Sequence, residues 1–215
     1  MYSSGVRDSI EHMSFFSIIV VSSWVVFLLV WGIGAFNVKK DIMHRGLWGG
    51  GHARLVIRAL CAVVLVALLV RHFFYRDTYT AHRSLFDHFG NDLFTAQPAL
   101  QALGALICVA GIALAIFARF YLGRNWSSHP ALKAEHELVT GGPYAYVRHP
   151  IYTGLLLAVV GSALTSNPLW LLVFVPVLGL FLWRIPVEEK LMREQFPNQY
   201  PAYQKRTKAL IPFVW

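Results

Sequence analysis

Two clusters of residues in this chain have the makings of chemistry. The first reads His-Glu-Leu-Val-Thr-Gly-Gly-Pro-Tyr-Ala-Tyr-Val-Arg-His-Pro-Ile-Tyr, from His136 to Tyr152. The second is Arg184, followed by Glu188 and Glu189. Both interrupt strongly apolar sequence. Ionisable side chains beside a bilayer are costly unless they pair or serve a site, so each cluster is a functional candidate. An arginine can hold a carboxylate through a planar fork. A glutamate can take an amino group or a hydroxyl. Such groups together suit a polar ligand and a charged acceptor meeting at a membrane face. Plainer roles exist for each of them. His149 before Pro150 would cap a helix, Tyr144, Tyr146 and Tyr152 would suit an interfacial belt, and Arg184 would snorkel from a span end. Glu188 and Glu189 would suit the first turn of a helix opening at Pro186.

The elements that must position these residues are membrane spans. The chain has 215 residues, 56% of them hydrophobic and 14% charged. A soluble domain carries about 25% charged residues. One membrane domain over 1–215 fits the length. The net charge of +8 fits basic loops near anionic lipid, and no nucleic-acid motif accompanies it. Cys61 and Cys108 lie inside apolar runs without metal-ligand spacing, so they read as small buried hydrophobes and no metal is expected.

The first span is Phe15 to Phe36, too long for a signal peptide and without a clear cleavage site. The second is roughly Leu55 to Val70, followed by an aromatic-rich interfacial loop to Gln97. The third is Pro98 to Leu122. The apolar run from Ile151 to Ile185 is broken by Thr165-Ser166-Asn167-Pro168, a turn signal. It divides into two antiparallel helices, about Tyr152–Leu164 and Leu169–Arg184, the first short for a full span. Pro186 is then expected to end the fifth span and open a new helix over Val187–Phe196. Basic residues at Lys39–Arg58, Arg124–Arg148 and Lys190–Lys208 put those regions on the cytosolic side, with the C-terminus inside. The fold class expected is therefore all-α, a multispan helical bundle of about five transmembrane helices with a pocket at the cytosolic face. Residues 15–97 form N-terminal spans and loop, and 98–215 a catalytic half.

The stretch from Leu138 to Gly154, Leu-Val-Thr-Gly-Gly-Pro-Tyr-Ala-Tyr-Val-Arg-His-Pro-Ile-Tyr-Thr-Gly, resembles the signature of the isoprenylcysteine carboxyl methyltransferase family. Glu188-Glu189, Phe196, Tyr200, Tyr203 and Ile211-Pro212-Phe213 follow in that family's order and spacing. The likeness runs from about Gly123 to Phe213. The Arg-His-Pro-x-Tyr and Glu-Glu pair also resembles the phospholipid N-methyltransferases and, more loosely, the membrane sterol reductases. The resemblance implies S-adenosylmethionine as cofactor. It implies cofactor contacts from His136, Glu137, Leu138 and Val139, from Tyr144, from His149, Pro150, Ile151 and Tyr152, and from Glu188. It places Arg184 at the substrate. His129 stands where the family often has a glutamine and is carried as a further candidate cofactor contact.

The function so implied is methyl transfer to the carboxylate of a prenylated cysteine or a similar lipophilic acceptor, with Arg184 and Glu188 as the reacting-site pair. A carboxylate is ionised near neutral pH and needs no general base. The protein's task is alignment, exclusion of water and holding the acceptor's charge. An amine acceptor on a phospholipid headgroup would instead enlist Glu188, Glu189 or a histidine as base. A sterol-type reductase lacks support from any Gly-rich dinucleotide motif, and a non-catalytic membrane scaffold is the remaining alternative. The partners expected are a lipophilic or prenylated-cysteine substrate and membrane lipid.

Overall fold

The computed structural model describes residues 15–34, 41–43, 97–123, 132–133, 137–165 and 170–212. Apolar helices dominate: α1 (Phe15–Gly34), α2 (Pro98–Leu122), α3 (Pro150–Thr165) and α4 (Trp170–Gln195). A 3-10 turn, Gly142–Ala145, precedes α3, and a short α5, Tyr200–Arg206, follows α4. The helical bundle expected from the sequence is present, with one addition. Asp41–Met43 (β1) pairs antiparallel with Leu132–Lys133 (β2), bringing two distant loops together.

Among the described residues, three helices are long and apolar enough to cross a membrane: Phe15–Ile33, Pro98–Leu122 and Trp170–Gln195. The 16 residues of α3 rise about 24 Å at ~1.5 Å each, short of the ~30 Å hydrocarbon core. The expected second span, 55–70, lies outside the described residues, as does the loop that follows it up to residue 96.

The third span has its expected limits. Pro98 opens α2 where a missing amide hydrogen costs nothing. Gly123 closes it at φ +53, its amide donating to the carbonyls of Arg119 and Phe120.

Inside a bilayer, helices gain little from hydrophobic burial against one another and rely on close contact and interhelical hydrogen bonds. The α2–α3 seam shows both. Gly104 and Gly111 on α2 face Gly161 and Gly154 on α3. A Cβ built on Gly111 would lie 2.5 Å from the Gly154 carbonyl oxygen, and one on Gly154 would lie 2.5 Å from the Gly111 carbonyl oxygen. Cys108, Ala115 and Ala158 fill the same seam and are fully buried. Thr165 Oγ1 lies 3.2 Å from the Gln101 carbonyl, to which it donates across the seam. Trp24 Nε1 on α1 donates to Ser162 Oγ at 3.0 Å, and its ring stacks on Trp170 at 5.9 Å. A few small and polar groups thus fasten α1, α3 and the start of α4 together.

Helix α4 departs from the expected pattern. It does not end at Arg184; it runs through both Pro176 and Pro186 to Gln195. Pro186 deprives the Leu182 carbonyl of its intrahelical donor. The helix survives because contacts bridge the proline. Arg184 and Glu188 pair across it at i,i+4, and Ile185 is buried against Ala209 and Leu210. Glu188 and Glu189 are consequently mid-helix, and the first-turn capping role does not apply. At 26 residues α4 is about 39 Å long, so its charged end can extend past the hydrocarbon.

Candidate functional site

The first cluster reaches its place by a tight turn. Gly142 adopts φ +56, a backbone region open to glycine. A Cβ there would also meet the Tyr121 ring at 2.5 Å. The 3-10 turn then buries Pro143 and Tyr144. Tyr144 Oη donates to the Ala118 carbonyl at 3.3 Å. Burial drives the Tyr144 phenol far above its ordinary value, and the nearby Tyr203 and Glu188 push the same way. It stays neutral.

His149 is the residue before α3 and Pro150 opens the helix. The strap after α5 runs beside this junction. Arg148 N donates to the Lys208 carbonyl at 2.8 Å and His149 N to the Ala209 carbonyl at 3.0 Å. Thr153 Oγ1 donates to the Leu210 carbonyl at 2.7 Å. With its backbone fixed, the His149 ring sits between the two glutamates. Nδ1 is 3.5 Å from Glu188 Oε2 and Nε2 is 3.4 Å from Glu189 Oε1.

The glutamates have different partners. Glu188 Oε1 accepts from Tyr152 Oη at 2.7 Å and from Arg184 Nε at 2.5 Å. Glu189 Oε1 accepts from Arg148 Nε at 2.7 Å, and Oε2 accepts from Gln204 Nε2 at 2.6 Å. Arg148 also donates to the carbonyls of Gln204 and Thr207. Glu188, with a side chain 21% exposed against 8% for Glu189, is the more open carboxylate. Glu189 is a clasp joining α4, the Arg148 turn and the C-terminal strap.

An aromatic stack backs Glu188. The rings of His149 and Tyr152 are parallel within 6° at 5.4 Å. Those of Tyr152 and Phe181 are parallel within 7° at 4.1 Å. The structure therefore brings His149, Tyr152, Arg184 and Glu188 into one constellation. Pro150 and Ile151 are buried at the start of α3, Ile151 packing with Ala118 and Tyr144. Val139 is partly buried against that same cluster. Leu138 is half-buried and Glu137 exposed. His129 and His136 lie outside the described residues.

Sequence reasoning gave no site role to Arg148, Gln204, Tyr203 or Thr207. Arg148 stood within the motif, but its contacts are largely to backbone carbonyls some 60 positions away, for which no local signal exists. Tyr203 Oη donates to the Tyr144 carbonyl at 2.7 Å, tying α5 to the 3-10 turn.

Known proteins bear on this arrangement. A family model described as phospholipid methyltransferase matches residues 99–199. Protein-S-isoprenylcysteine O-methyltransferase B of Arabidopsis thaliana is 35% identical over 119 residues, 54% of this chain and 60% of that protein. The Saccharomyces cerevisiae protein-S-isoprenylcysteine O-methyltransferase is 28% identical over 214 residues, 98% of this chain and 84% of that protein. The chain therefore spans about 60% of the Arabidopsis relative and most of the yeast one. The solved eukaryotic intramembrane Ras methyltransferase, an isoprenylcysteine carboxyl methyltransferase, matches with a TM-score of 0.53 at 24% identity, covering 78% of this chain and 55% of that one. That likeness and the apolar helices make this an integral membrane protein of that fold. The signature from Leu138 to Gly154 and the matched relatives agree: in sequence and in fold the chain is similar to the isoprenylcysteine carboxyl methyltransferases.

Proposed function

We propose that the protein transfers a methyl group from S-adenosylmethionine to the carboxylate of an isoprenylated cysteine, at a pocket facing the cytosol. The single observation that carries this is the Glu188 constellation: one half-open carboxylate held by Tyr152 and Arg184, with His149 beside it. The named relatives are isoprenylcysteine O-methyltransferases, which supports the same substrate class.

The residues fit the cofactor. It carries a sulfonium, an ammonium and ribose hydroxyls, and this constellation offers a carboxylate and flat aromatic faces that attract cations. Glu188 and His149 would hold it, with Tyr152 orienting Glu188 and the 137–144 segment forming the wall. When bound, the cofactor supplies an activated methyl carbon, and its thioether is the leaving group. Arg184, its Nε engaged by Glu188, addresses the acceptor carboxylate from its terminal nitrogens. The acceptor oxygen forms the new C–O bond with no proton to remove, so no general base is required. Positioning and dryness supply the rate. The prenyl tail stays in the bilayer: moving fifteen carbons into water costs on the order of 10 kcal/mol, so the acceptor enters laterally. By this reading the N-terminal spans and loop of 15–97 frame the catalytic half of 98–215.

Purified protein with methyl-labelled S-adenosylmethionine tests the proposal. The acceptors are farnesylcysteine analogues and phosphatidylethanolamine. Base-labile label on the farnesylcysteine analogue is expected. Label on the amine lipid alone overturns the substrate assignment. Arg184→Ala should impair transfer while leaving cofactor affinity within a few-fold by calorimetry. Lost cofactor binding with normal turnover at saturation would move Arg184 to the cofactor site.

A further inference from the structure

On the far side of Glu189 from Glu188 lies an open groove of about 390 Å³, a size at which small-ligand sites begin. One wall is the end of α4. Leu182, Pro186, Glu189 and Arg193 follow one another at intervals of four, three and four residues, which places them on one helix face. The other wall is the strap at Thr207, Lys208 and Ala209. The stripe changes character along its length. Leu182 is 41% exposed and apolar, Pro186 is exposed, and charge begins at Glu189.

The charge does not balance. Arg148, Arg193 and Lys208 line the groove with a single carboxylate, Glu189. That carboxylate already receives Arg148 and Gln204 and lies 3.8 Å from Arg193. The Lys208 side chain is exposed and has no ion pair among the described residues, although its carbonyl accepts from Arg148 N. Two positive charges therefore remain where α4 turns from apolar to charged. The wider segment 184–208 holds six basic and three acidic residues, so neighbouring carboxylates do not neutralise it. An amphiphilic anion matches both halves of the stripe, and anionic phospholipids are concentrated at such a boundary.

We propose that this groove binds the phosphate of an anionic phospholipid, held between Arg193 and Lys208, with an acyl chain passing Pro186 toward Leu182 and Trp183. The site is separate from the methyl-transfer constellation and does not depend on that reading. The two adjoin at Glu189, whose Oε1 meets His149 on one side and Arg148 on the other, and at Ile185, which lines the groove and belongs to the cluster that packs against Tyr152.

The test uses the full chain in neutral detergent, titrated with short-chain phosphatidylglycerol while binding and melting temperature are followed. Short-chain phosphatidylcholine, inorganic phosphate and a glutamate tetrapeptide are run in parallel. Phosphatidylglycerol should bind saturably. Arg193→Gln with Lys208→Gln should weaken it at least ten-fold, whereas Lys190→Gln with Lys205→Gln, outside the groove, should change it less than two-fold. Lys208→Gln alone, which removes no described ion pair, provides the same reading if the double variant folds poorly. Equal weakening by both pairs means a diffuse basic surface and overturns the site. Phosphatidylcholine binding as well as phosphatidylglycerol removes the charge requirement. Inorganic phosphate binding as tightly removes the lipid. Competition by the tetrapeptide at matched charge reassigns the groove to acidic peptide. Each of these three overturns the proposal.

Discussion

Helix α3 meets its neighbours in opposite ways at its two ends. From Gly154 to Thr165 it lies against α2 through glycine, alanine and a few hydroxyls, with backbones nearly touching. From His149 to Thr153 it meets α4 and the strap through rings, carboxylates and guanidiniums. The first contact is dry and depends on shape. The second depends on pairing, because ionised groups this close to hydrocarbon persist only when matched. One end anchors the helix and the other presents His149 and Tyr152. Disturbing either should give a different failure.

The largest effect is expected at the seam. Gly154→Leu drives a side chain into the Gly111 carbonyl and Ala115, and backbone cannot yield as a side-chain tip can. Overpacking costs about 1–3 kcal/mol even where side chains can shift, so the upper end or more is expected here. The melting temperature should fall by at least about 6 °C, with cofactor binding lost only because the fold is lost. Size-exclusion profiles and melting curves in detergent check it. A monodisperse Gly154→Leu protein of unchanged stability would show that the seam is not the anchor.

Glu189→Ala tests the clasp next. It strands Arg148 beside two backbone carbonyls with no carboxylate. Removing one partner of a buried pair costs roughly 3–5 kcal/mol. Hydrogen exchange should rise first in the strap around Thr207–Leu210 and in the turn before α3. Exchange unchanged there would mean that the strap is held by Thr153 and the backbone bonds alone.

Glu188→Gln should do the reverse. The amide keeps the shape and can still accept from Tyr152, so the melting temperature should change by only a few degrees. A hydrogen bond to a charged group contributes about 1.5–3 kcal/mol, so cofactor affinity should fall roughly 10- to 100-fold by calorimetry. If Glu188→Gln and Glu189→Ala behaved alike, the division between an open carboxylate and a clasp would be wrong.

The same two ends differ in how far the sequence reveals them. The Pro98–Leu122 span and the division near Ser166 are read from hydropathy and turn residues, since spans and breakers act locally. The pairing of the His149 and Tyr152 motif with Arg184 and Glu188 is read from residue types and from the family likeness. The course of the chain through Pro186 is not, because a local rule says helices stop there while Ile185, Arg184 and Glu188 hold this one together from outside. The strap and α5 are equally hidden: Thr207 meets Arg148 through a carbonyl, which has no residue signature, and Gln204 adds to its carbonyl a side-chain amide that reaches Glu189 only once the chain has folded. The assignment of Glu189 to the clasp depended on Arg148 and Gln204 arriving from two other elements.

The smallest effect separates α5 from the rest. Burial pushes the Tyr203 phenol up to about 12, with Thr207 and Arg148 pulling it partly back. The unfolded value is about 10. A pKa raised by folding means that the folded state holds the proton more tightly. Its contribution is therefore complete below about pH 10 and is lost as pH rises toward about 12. Tyr203→Phe removes this titration together with the bond to the Tyr144 carbonyl, worth about 1 kcal/mol at neutral pH. The variant should melt slightly lower than the parent near pH 8. The gap should narrow or close as pH climbs beyond about 10, since the parent alone loses this phenol's share. Tyr144 and Tyr200, also raised chiefly by burial, titrate in both proteins, so the share due to burial cancels in the difference and only the smaller part that Tyr203 adds to each remains. A gap constant from pH 8 to about 11 would mean that the Tyr203 hydroxyl ionises as it does in water and that α5 is not seated on the 3-10 turn.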